Sequence, residues 1–301
     1  MKIKLEDFLV RKGRQARPIP VAEVIDVVNG LVSPKYLYDE DVLPKFIDTY
    51  YSWVQSSKLN KLHNLDKFSA VDFVHGTSQA FDFWYQKHHN KRFRCLKGDY
   101  AYHKVSWKNY FDWEYVEDDD LRSGDAFIIS VPFSDLGAKH PETESILDKC
   151  DELGIPVFID AAYYCIVRDL EFDLDRSCID TITFSMSKAF YGAERLRIGI
   201  RCRRENEDDG AVLFNQFHSV AKIATGIGIE LCERFEHDYN QNTFREKQIE
   251  ICKDLNIKPS DSVLFGLTDK EHPEFGDYDR GTEWRRVCIS RLLGDCDEIE
   301  I

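Results

Sequence analysis

The sequence of 301 residues lacks any long apolar run. No stretch approaches the roughly 20 apolar residues that a membrane-spanning helix requires. The polar N-terminus, residues 1–20, has no apolar segment of the kind found in signal peptides. The nine cysteines are scattered, with no C-x-x-C pair, as is typical of free thiols in a reducing compartment. These absences predict a soluble, cytoplasmic protein.

The sequence is also poor in positive charge. It has 40 lysines and arginines against 54 aspartates and glutamates, and its formal net charge is −14. Such a charge opposes attraction to phosphate backbones and to anionic lipid. We therefore expect neither a nucleic acid nor a membrane as partner.

The motifs of several common site types are missing as well. No G-x-G-x-x-G follows a predicted strand and no Walker A loop is present, which disfavours a nucleotide-binding dehydrogenase. The nine histidines show no H-E-x-x-H or comparable ligand spacing, so we expect no metal site.

What the sequence does contain is an alternation of short apolar runs with helical stretches, from about residue 68 to residue 203. This alternation indicates an α/β sheet with crossover helices. Pro141 near the start and Gly154 at the end delimit a helix between two of the runs, so a βαβ unit is expected there. The predicted strands are AVDFVH, RFRCL, DAFIISV, IPVFID, TITFS and RIGIRC.

The segments on either side of this region predict a second, smaller domain. Helical periodicity precedes it, in residues 22–32 and 43–54, and one or two helices followed by the strand-like runs SVLFGL and WRRVCIS come after it. The predicted division is an N-terminal helical part of the small domain in residues 1–62, a large α/β domain in 63–210, and a linking helix with the C-terminal small domain in 211–301.

Ligands of open α/β sheets bind at the carboxyl ends of the strands, and AVDFVH ends in a candidate anion site there. The strand stops at Gly76, and a helix begins at once with Thr77 and Ser78. Such a turn directs unpaired backbone N–H groups and the positive end of the helix dipole at an anion. A phosphate site is therefore a candidate; an ordinary helix cap is the alternative.

The strand IPVFID brings two further polar residues to the same edge, Asp160 and Tyr163. A carboxylate at this point can hold a pyridine nitrogen in its protonated form, and a tyrosine hydroxyl can bond to a phenolic oxygen. The alternative is an aspartate that stabilises the following turn.

The stretch after TITFS is the most specific in the sequence. It places Lys188 just beyond a strand, with Ser185 before it and Arg197 after it, at the start of the next strand. A lysine amine can form a Schiff base with an aldehyde, and a serine and an arginine can bind a neighbouring phosphate. Arg195 competes with Arg197 for this role, although the R-x-G context favours Arg197.

The segment SMSKAFYGAERLRIGI resembles the Schiff-base lysine segment of the class I/II, fold type I aminotransferases, and the earlier motifs come in that family's order. The resemblance covers residues 71–203 and, with fewer matching residues, the last forty. It implies an α/β fold with a mostly parallel central sheet, flanking helices and a smaller α+β domain. It also implies that pyridoxal 5′-phosphate (PLP) is bound as an internal aldimine on Lys188.

The same resemblance assigns the contacts to the cofactor. An aromatic residue of KGDYAYHK stacks on the ring; Tyr100 is the matching position, and Tyr102 is the alternative. The implied phosphate contacts are Gly76, Thr77, Ser78, Ser185 and Arg197, and the implied ring contacts are Tyr100, Asp160, Tyr163 and Lys188.

EWRRVCISRLL resembles the small-domain strand in which the family presents an arginine to the α-carboxylate of the substrate. A planar guanidinium suits a carboxylate because two parallel N–H···O bonds fix both its position and its plane. Arg286 is the matching residue. Arg285 and Arg291 are alternatives, since the segment is rich in arginine.

One departure from the family lies in Ser130-Val131-Pro132, where Asn-Pro is common. Val131 cannot donate a hydrogen bond, so a second partner of the cofactor's phenolic oxygen is expected to be missing. The predicted function is that of a homodimeric, PLP-dependent aminotransferase acting on an amino acid and a keto acid. A lyase, a decarboxylase or a carbon–carbon bond-forming enzyme of this fold, and a noncatalytic ligand-binding protein, remain alternatives.

Overall fold

The computed structural model of the protein describes residues 15–30 and 34–295. Its strands are β1 (Lys61–His63), β2 (Ala70–His75), β3 (Arg92–Cys95), β4 (Trp113–Tyr115), β5 (Asp125–Ser130), β6 (Val157–Asp160), β7 (Glu171–Asp173), β8 (Ile179–Ser185), β9 (Ile198–Arg203), β10 (Lys258–Pro259), β11 (Phe265–Asp269) and β12 (Trp284–Cys288). Its α-helices are α1 (Ala22–Gly30), α2 (Val42–Gln55), α3 (Gly76–Lys87), α4 (Tyr102–Trp107), α5 (Thr143–Leu153), α6 (Ala193–Leu196), α7 (Gly210–Gln216), α8 (Lys222–Arg234), α9 (Tyr239–Asp254) and α10 (Ser290–Leu293).

Seven strands form a central sheet in the order β2-β9-β8-β6-β5-β3-β4. The pairs from β8 to β4 are all parallel, whereas β9 is antiparallel to both of its neighbours, β2 and β8. All six predicted strands of this region are present, and β5, α5 and β6 form the expected βαβ unit. The predicted mostly parallel α/β sheet with flanking helices is confirmed.

The reversed direction of β9 decides which residues meet at one edge of the sheet. Gly76, Asp160 and the residues after Ser185 follow or end strands that point toward this edge. Because β9 runs the other way, the residue that precedes it, Arg197, arrives at the same edge. Residues distant in sequence are thereby brought together around one site.

The centre of the sheet is made from apolar runs that are covered on both faces. All side chains of β5 and β6 are buried, as expected for parallel strands with helices on either side. Helix α5 contributes a buried face that includes Ile146, Leu147 and Cys150, and it ends at Gly154, whose φ of +64° is easily adopted by glycine. The apolar pattern of the sequence and the glycine that ends α5 thus explain the βαβ unit of β5, α5 and β6.

The region after the central sheet differs from the sequence prediction. One or two helices were expected between residues 210 and 256, and the structure has three, α7, α8 and α9. The first break follows Phe217, where His218 adopts a left-handed conformation with φ of +53°, and the second lies at Phe235, which is extended. Neither break is marked by a proline or a glycine, so the prediction was wrong about the number of helices.

The remaining strands form two small sheets. β1 and β7 pair in parallel, and β10, β11 and β12 form an antiparallel sheet against which α9 packs. Helix α2 packs on α8 and also on β2 and β9 of the central sheet. The predicted division at residues 62 and 210 stays a prediction. In the described part of the chain, no helix is both long enough and apolar enough to cross a membrane.

Candidate active site

A cavity of about 630 Å³ lies at the edge of the central sheet where β5, β6 and β8 end and β9 begins. Most of the residues singled out from the sequence line it, although they come from segments as distant in the sequence as those of Thr77 and Arg286. Gly76 is the exception, since it packs against the side chain of Arg197 and does not itself line the cavity. The lining includes Thr77, Ser78, Tyr100, Asp160, Tyr163, Ser185, Lys188, Arg197 and Arg286.

One end of the cavity is equipped to bind an anion. Helix α3 begins there with Thr77 and Ser78, and Arg197 donates a hydrogen bond to the hydroxyl of Ser78. In the part of the chain that the structure describes, Arg197 pairs with no carboxylate. A helix N-terminus, two hydroxyls and an arginine without a counterion suit a phosphate group.

Gly76 is required by this arrangement. Its φ is +66°, and a β-carbon added to it would lie 2.7 Å from Nη2 of Arg197. A second glycine, Gly199, lets β9 approach the same turn, because a β-carbon there would lie 3.1 Å from Cα of Gly76. The R-x-G pattern noted in the sequence therefore has a steric reason, and it favours Arg197 over Arg195, which does not line the cavity.

Lys188 lies in a short 3-10 turn, Met186–Lys188, directly after β8. Ser185 begins this turn by accepting a hydrogen bond of 3.2 Å from the N–H of Ser187. The amine of Lys188 donates to the carbonyl oxygen of Ala16 at 3.0 Å. The N-terminal segment thus covers the lysine, a contact that no sequence motif indicated.

Asp160 faces the cavity from the end of β6 and is 4% exposed. Its Oδ1 accepts the N–H of Ala162 at 3.1 Å, while no residue that the structure describes forms a hydrogen bond with Oδ2. Burial, followed by the negative charge of Asp99, raises the pKa of Asp160 to about 7 against the smaller opposing effects of the Ala162 N–H and Lys188. A protonated ring nitrogen would relieve the cost of burying this charge.

The structure distinguishes between the aromatic candidates. Tyr100 lines the cavity and is 42% exposed, and its ring stacks on that of Tyr102 with the ring centroids 5.9 Å apart. Tyr102 does not line it, and its hydroxyl donates to Asp82 at 2.9 Å. Tyr100 is therefore the ring that can stack on a ligand.

The structure also distinguishes between the arginines near the C-terminus. Arg286, on β12, donates from Nη1 to the carbonyl of Ser134 and, at 3.3 Å, to the hydroxyl of Tyr163. Arg285, the next residue along the strand, bonds to the carbonyl of His272 at 3.0 Å instead. Neither Arg285 nor Arg291 lines the cavity, so Arg286 is the one of these three arginines that a bound carboxylate can reach.

Val131 does not face the cavity. Val131 is 1% exposed and does not line the cavity, whereas Ser130, Pro132 and Ser134 do. Val131 is part of the hydrophobic core. The hydroxyls at this wall belong to Ser130, which donates to Asp99, and to Ser134; the expected missing partner of the phenolic oxygen stays a prediction.

Sequence reasoning missed several residues of the cavity wall. These residues have no motif of their own, and their side chains reach the cavity through tertiary folding. A serine at the end of a buried strand and another four residues later could have indicated Ser130 and Ser134. The missed lining residues include Gln15, Ala16, Ser130, Ser134, Ser187 and Arg280.

No protein-family model and no curated protein sequence match the chain. Solved structures do match it. An aromatic aminotransferase from Pyrococcus horikoshii is 14% identical, covers 95% of this chain and 94% of its own, and has a TM-score of 0.63. An aspartate aminotransferase double mutant from Thermus thermophilus is 14% identical over 92% of this chain and 86% of its own, with a TM-score of 0.66.

A PLP-bound C–S lyase from Staphylococcus hominis, complexed with L-cycloserine, is also similar in structure. It is 14% identical, covers 96% of this chain and 87% of its own, and has a TM-score of 0.60. At such low identity, these likenesses establish the fold. The chain has the fold of the fold type I PLP-dependent enzymes, as the sequence motifs predicted.

Proposed function

We propose that this protein is a PLP-dependent aminotransferase that holds its cofactor covalently through Lys188. The observation that carries the proposal is one cavity that combines a lysine amine, a buried carboxyl group and, at a helix N-terminus, an arginine that pairs with no carboxylate of the described residues. The similar structures of aminotransferases for aromatic amino acids and aspartate support the same conclusion.

The residues present fit the two ends of PLP. Its phosphate would bind at the start of α3, where Arg197 and the hydroxyl of Ser78 are already joined. Its pyridine nitrogen would bind to the open oxygen of Asp160, and Tyr100 in the same cavity would stack on its ring. The hydroxyl of Tyr163, at the same wall, would donate to the phenolic oxygen.

When bound, PLP supplies an electron sink that makes the α-proton of an amino acid acidic. Arg286 would orient the substrate by its α-carboxylate, because its guanidinium is held over the ring of Phe265 at 4.6 Å and is bonded to Ser134 and Tyr163. The amine of Lys188, once displaced by the substrate amine, would accept the α-proton and return it at C4′. A keto acid, the second substrate, would then accept the amino group and complete the transamination.

The first experiment is an absorption spectrum of the purified protein with PLP, before and after borohydride reduction. We expect a visible band that reduction converts into a stable adduct at Lys188. Lys188→Ala should lose the band and the activity. Lys222→Ala is the control, since this partly buried lysine pairs with Glu40 outside the cavity and should retain both.

The reaction type is tested by product analysis with several amino acids, with and without a keto acid acceptor. Turnover that requires the acceptor indicates transamination, whereas products formed without it indicate a lyase or a decarboxylase. A protein that shows no band and no adduct would contradict the proposal and favour noncatalytic ligand binding.

We also propose that the protein works as a cytoplasmic homodimer. The resemblance to fold type I enzymes supports the dimer, and an apolar surface on and beside α7 with exposed Leu213, Phe214 and Phe217 could serve such an interface. The eight cysteines in the described residues are free, in keeping with a reducing compartment. Light scattering coupled to gel filtration tests the dimer, and cell fractionation tests the location.

A further inference from the structure

The ends of three adjacent strands bring a second buried carboxyl group close to Asp160. In the sheet, β3, β5 and β6 are neighbours. Asp99 follows β3, Ser130 ends β5, and Asp160 ends β6, where it is the register partner of Ser130. Adjacent strands lie about 4.8 Å apart. Ser130 therefore lies directly beside Asp160, and it is Ser130 to which Asp99 is hydrogen-bonded.

The carboxylate of Asp99 is held by neutral donors. Its Oδ2 accepts the N–H of Ser130 at 3.0 Å, and its Oδ1 accepts the N–H of Tyr100 at 2.7 Å as well as the hydroxyl of Ser130. Arg280 contacts the backbone oxygen of Asp99 at 3.1 Å, and no ion pair involves the Asp99 side chain among residues 15–30 and 34–295. This charge is therefore oriented by neutral hydrogen bonds, and the guanidinium of Arg280 stabilises it without a direct ion pair.

The two carboxyls are faced by two cations, of which Arg280 also forms an ion pair with Asp135 at 3.3 Å. Facing Asp160 are Lys188 and the tyrosines Tyr85 and Tyr100; facing Asp99 are Arg280 and the thiol of Cys95. Burial raises the pKa of Asp99, against its hydrogen bonds and Arg280. Two buried carboxyls beside each other cannot both ionise easily, so a proton supplied by a ligand is favoured at this point.

We propose that Asp99 is a positioning residue for the cofactor's ring nitrogen, to which it supplies a second negative charge behind Asp160. Its hydrogen bonds to Ser130 and Tyr100 place that charge behind the contact between Asp160 and the ring. The inference rests on the proposed function. In this arrangement Asp160 contacts the ring nitrogen, and Asp99 acts through Asp160 to keep the proton on the ring.

The test compares two cofactors that differ at the ring nitrogen alone: PLP and the analogue in which a C–H group replaces that nitrogen. Their affinities for the full-length apoprotein are measured by equilibrium titration at pH 7.5. In Asp99→Asn, the preference for PLP over the analogue should fall about tenfold, the effect of one pKa unit at the ring nitrogen. A purely structural role would weaken both ligands equally and leave the ratio unchanged.

The matched control is Asp82→Asn, a partly buried aspartate that bonds to Tyr102 and does not line the cavity. Its ratio of affinities for PLP and for the analogue should equal that of the unaltered protein. If Asp99→Asn does not fold, Ser130→Ala takes its place. Loss of the Ser130 hydroxyl makes the Asp99 carboxylate less stable, so the ratio should fall in the same direction by a smaller factor.

The inference is overturned by an unchanged ratio in a folded Asp99→Asn protein or, failing that variant, in Ser130→Ala. The proposed function fails in a different way. If it is wrong, neither cofactor gives a borohydride-stable adduct at Lys188 in the unaltered protein, whereas failure of the inference alone leaves both adducts intact.

Discussion

Replacing Gly76 by alanine should weaken the binding of PLP through its phosphate group. The new β-carbon would lie 2.7 Å from Nη2 and 2.9 Å from Cζ of Arg197, closer than non-bonded atoms approach. The guanidinium would have to leave its position beside Ser78. The anion site would then lose the arginine that completes it.

The size of the effect has two separable parts. The left-handed backbone of residue 76, with φ of +66°, costs an alanine about 1–2 kcal/mol of folding stability. Displacement of Arg197 removes a charge-assisted hydrogen bond to phosphate, which contributes about 1.5–3 kcal/mol. The second part corresponds to a dissociation constant for PLP that rises by about 10- to 150-fold.

Gly154 provides a matched control. Its φ is +64°, nearly that of Gly76, but a β-carbon there would meet no atom within 4 Å. Gly154→Ala should therefore lose a similar 1–2 kcal/mol of stability in urea unfolding and bind PLP normally. The comparison separates backbone strain from the steric effect on Arg197.

The assay is equilibrium titration of each apoprotein with PLP and with pyridoxal, which lacks the phosphate. We expect Gly76→Ala to lose affinity for PLP and to bind pyridoxal as the unaltered protein does. Normal PLP binding by Gly76→Ala would refute the placement of the phosphate beside Arg197. An equal loss for pyridoxal would show that the substitution disturbs the cavity generally.

Two further predictions concern stability. Asp125→Ala should lower the free energy of unfolding in urea by about 3–5 kcal/mol, because it removes the carboxylate that lies 2.6 Å from the fully buried guanidinium of Arg94. As a comparison, Asp118→Ala removes an exposed ion pair with Lys97 and should lower it by less than about 1 kcal/mol. Burial opposes ionisation of Asp238, but hydrogen bonds led by that of His237 outweigh it and lower its pKa to about 2. A carboxyl group with a lowered pKa in the folded protein stabilises the fold at pH values above its unfolded pKa of 3.8. We therefore expect the free energy of unfolding in urea to exceed that of Asp238→Asn by about 2 kcal/mol at neutral pH. This difference should shrink as the pH falls from 5 toward 2. A pH-independent difference would contradict this assignment.

The sequence by itself determined six of the seven strands of the central sheet, all but β4, and the segments that carry the site. Apolar runs long enough to be buried on both faces predict strands wherever they occur, and a glycine such as Gly154 ends a helix through its own backbone freedom. Asp160 and Lys188 were found because strand ends are where such a sheet binds ligands. These inferences depend on short-range patterns, which the sequence displays directly.

The tertiary structure alone decided which of several similar residues reach the cavity. Arg286 and Arg285 are adjacent in the same arginine-rich strand, and strand register directs one to the cavity and the other to His272. The place of Asp99 beside Asp160 depends on the order of β3, β5 and β6 in the sheet. Strand order and register are set by long-range packing, and no local pattern of residues records them.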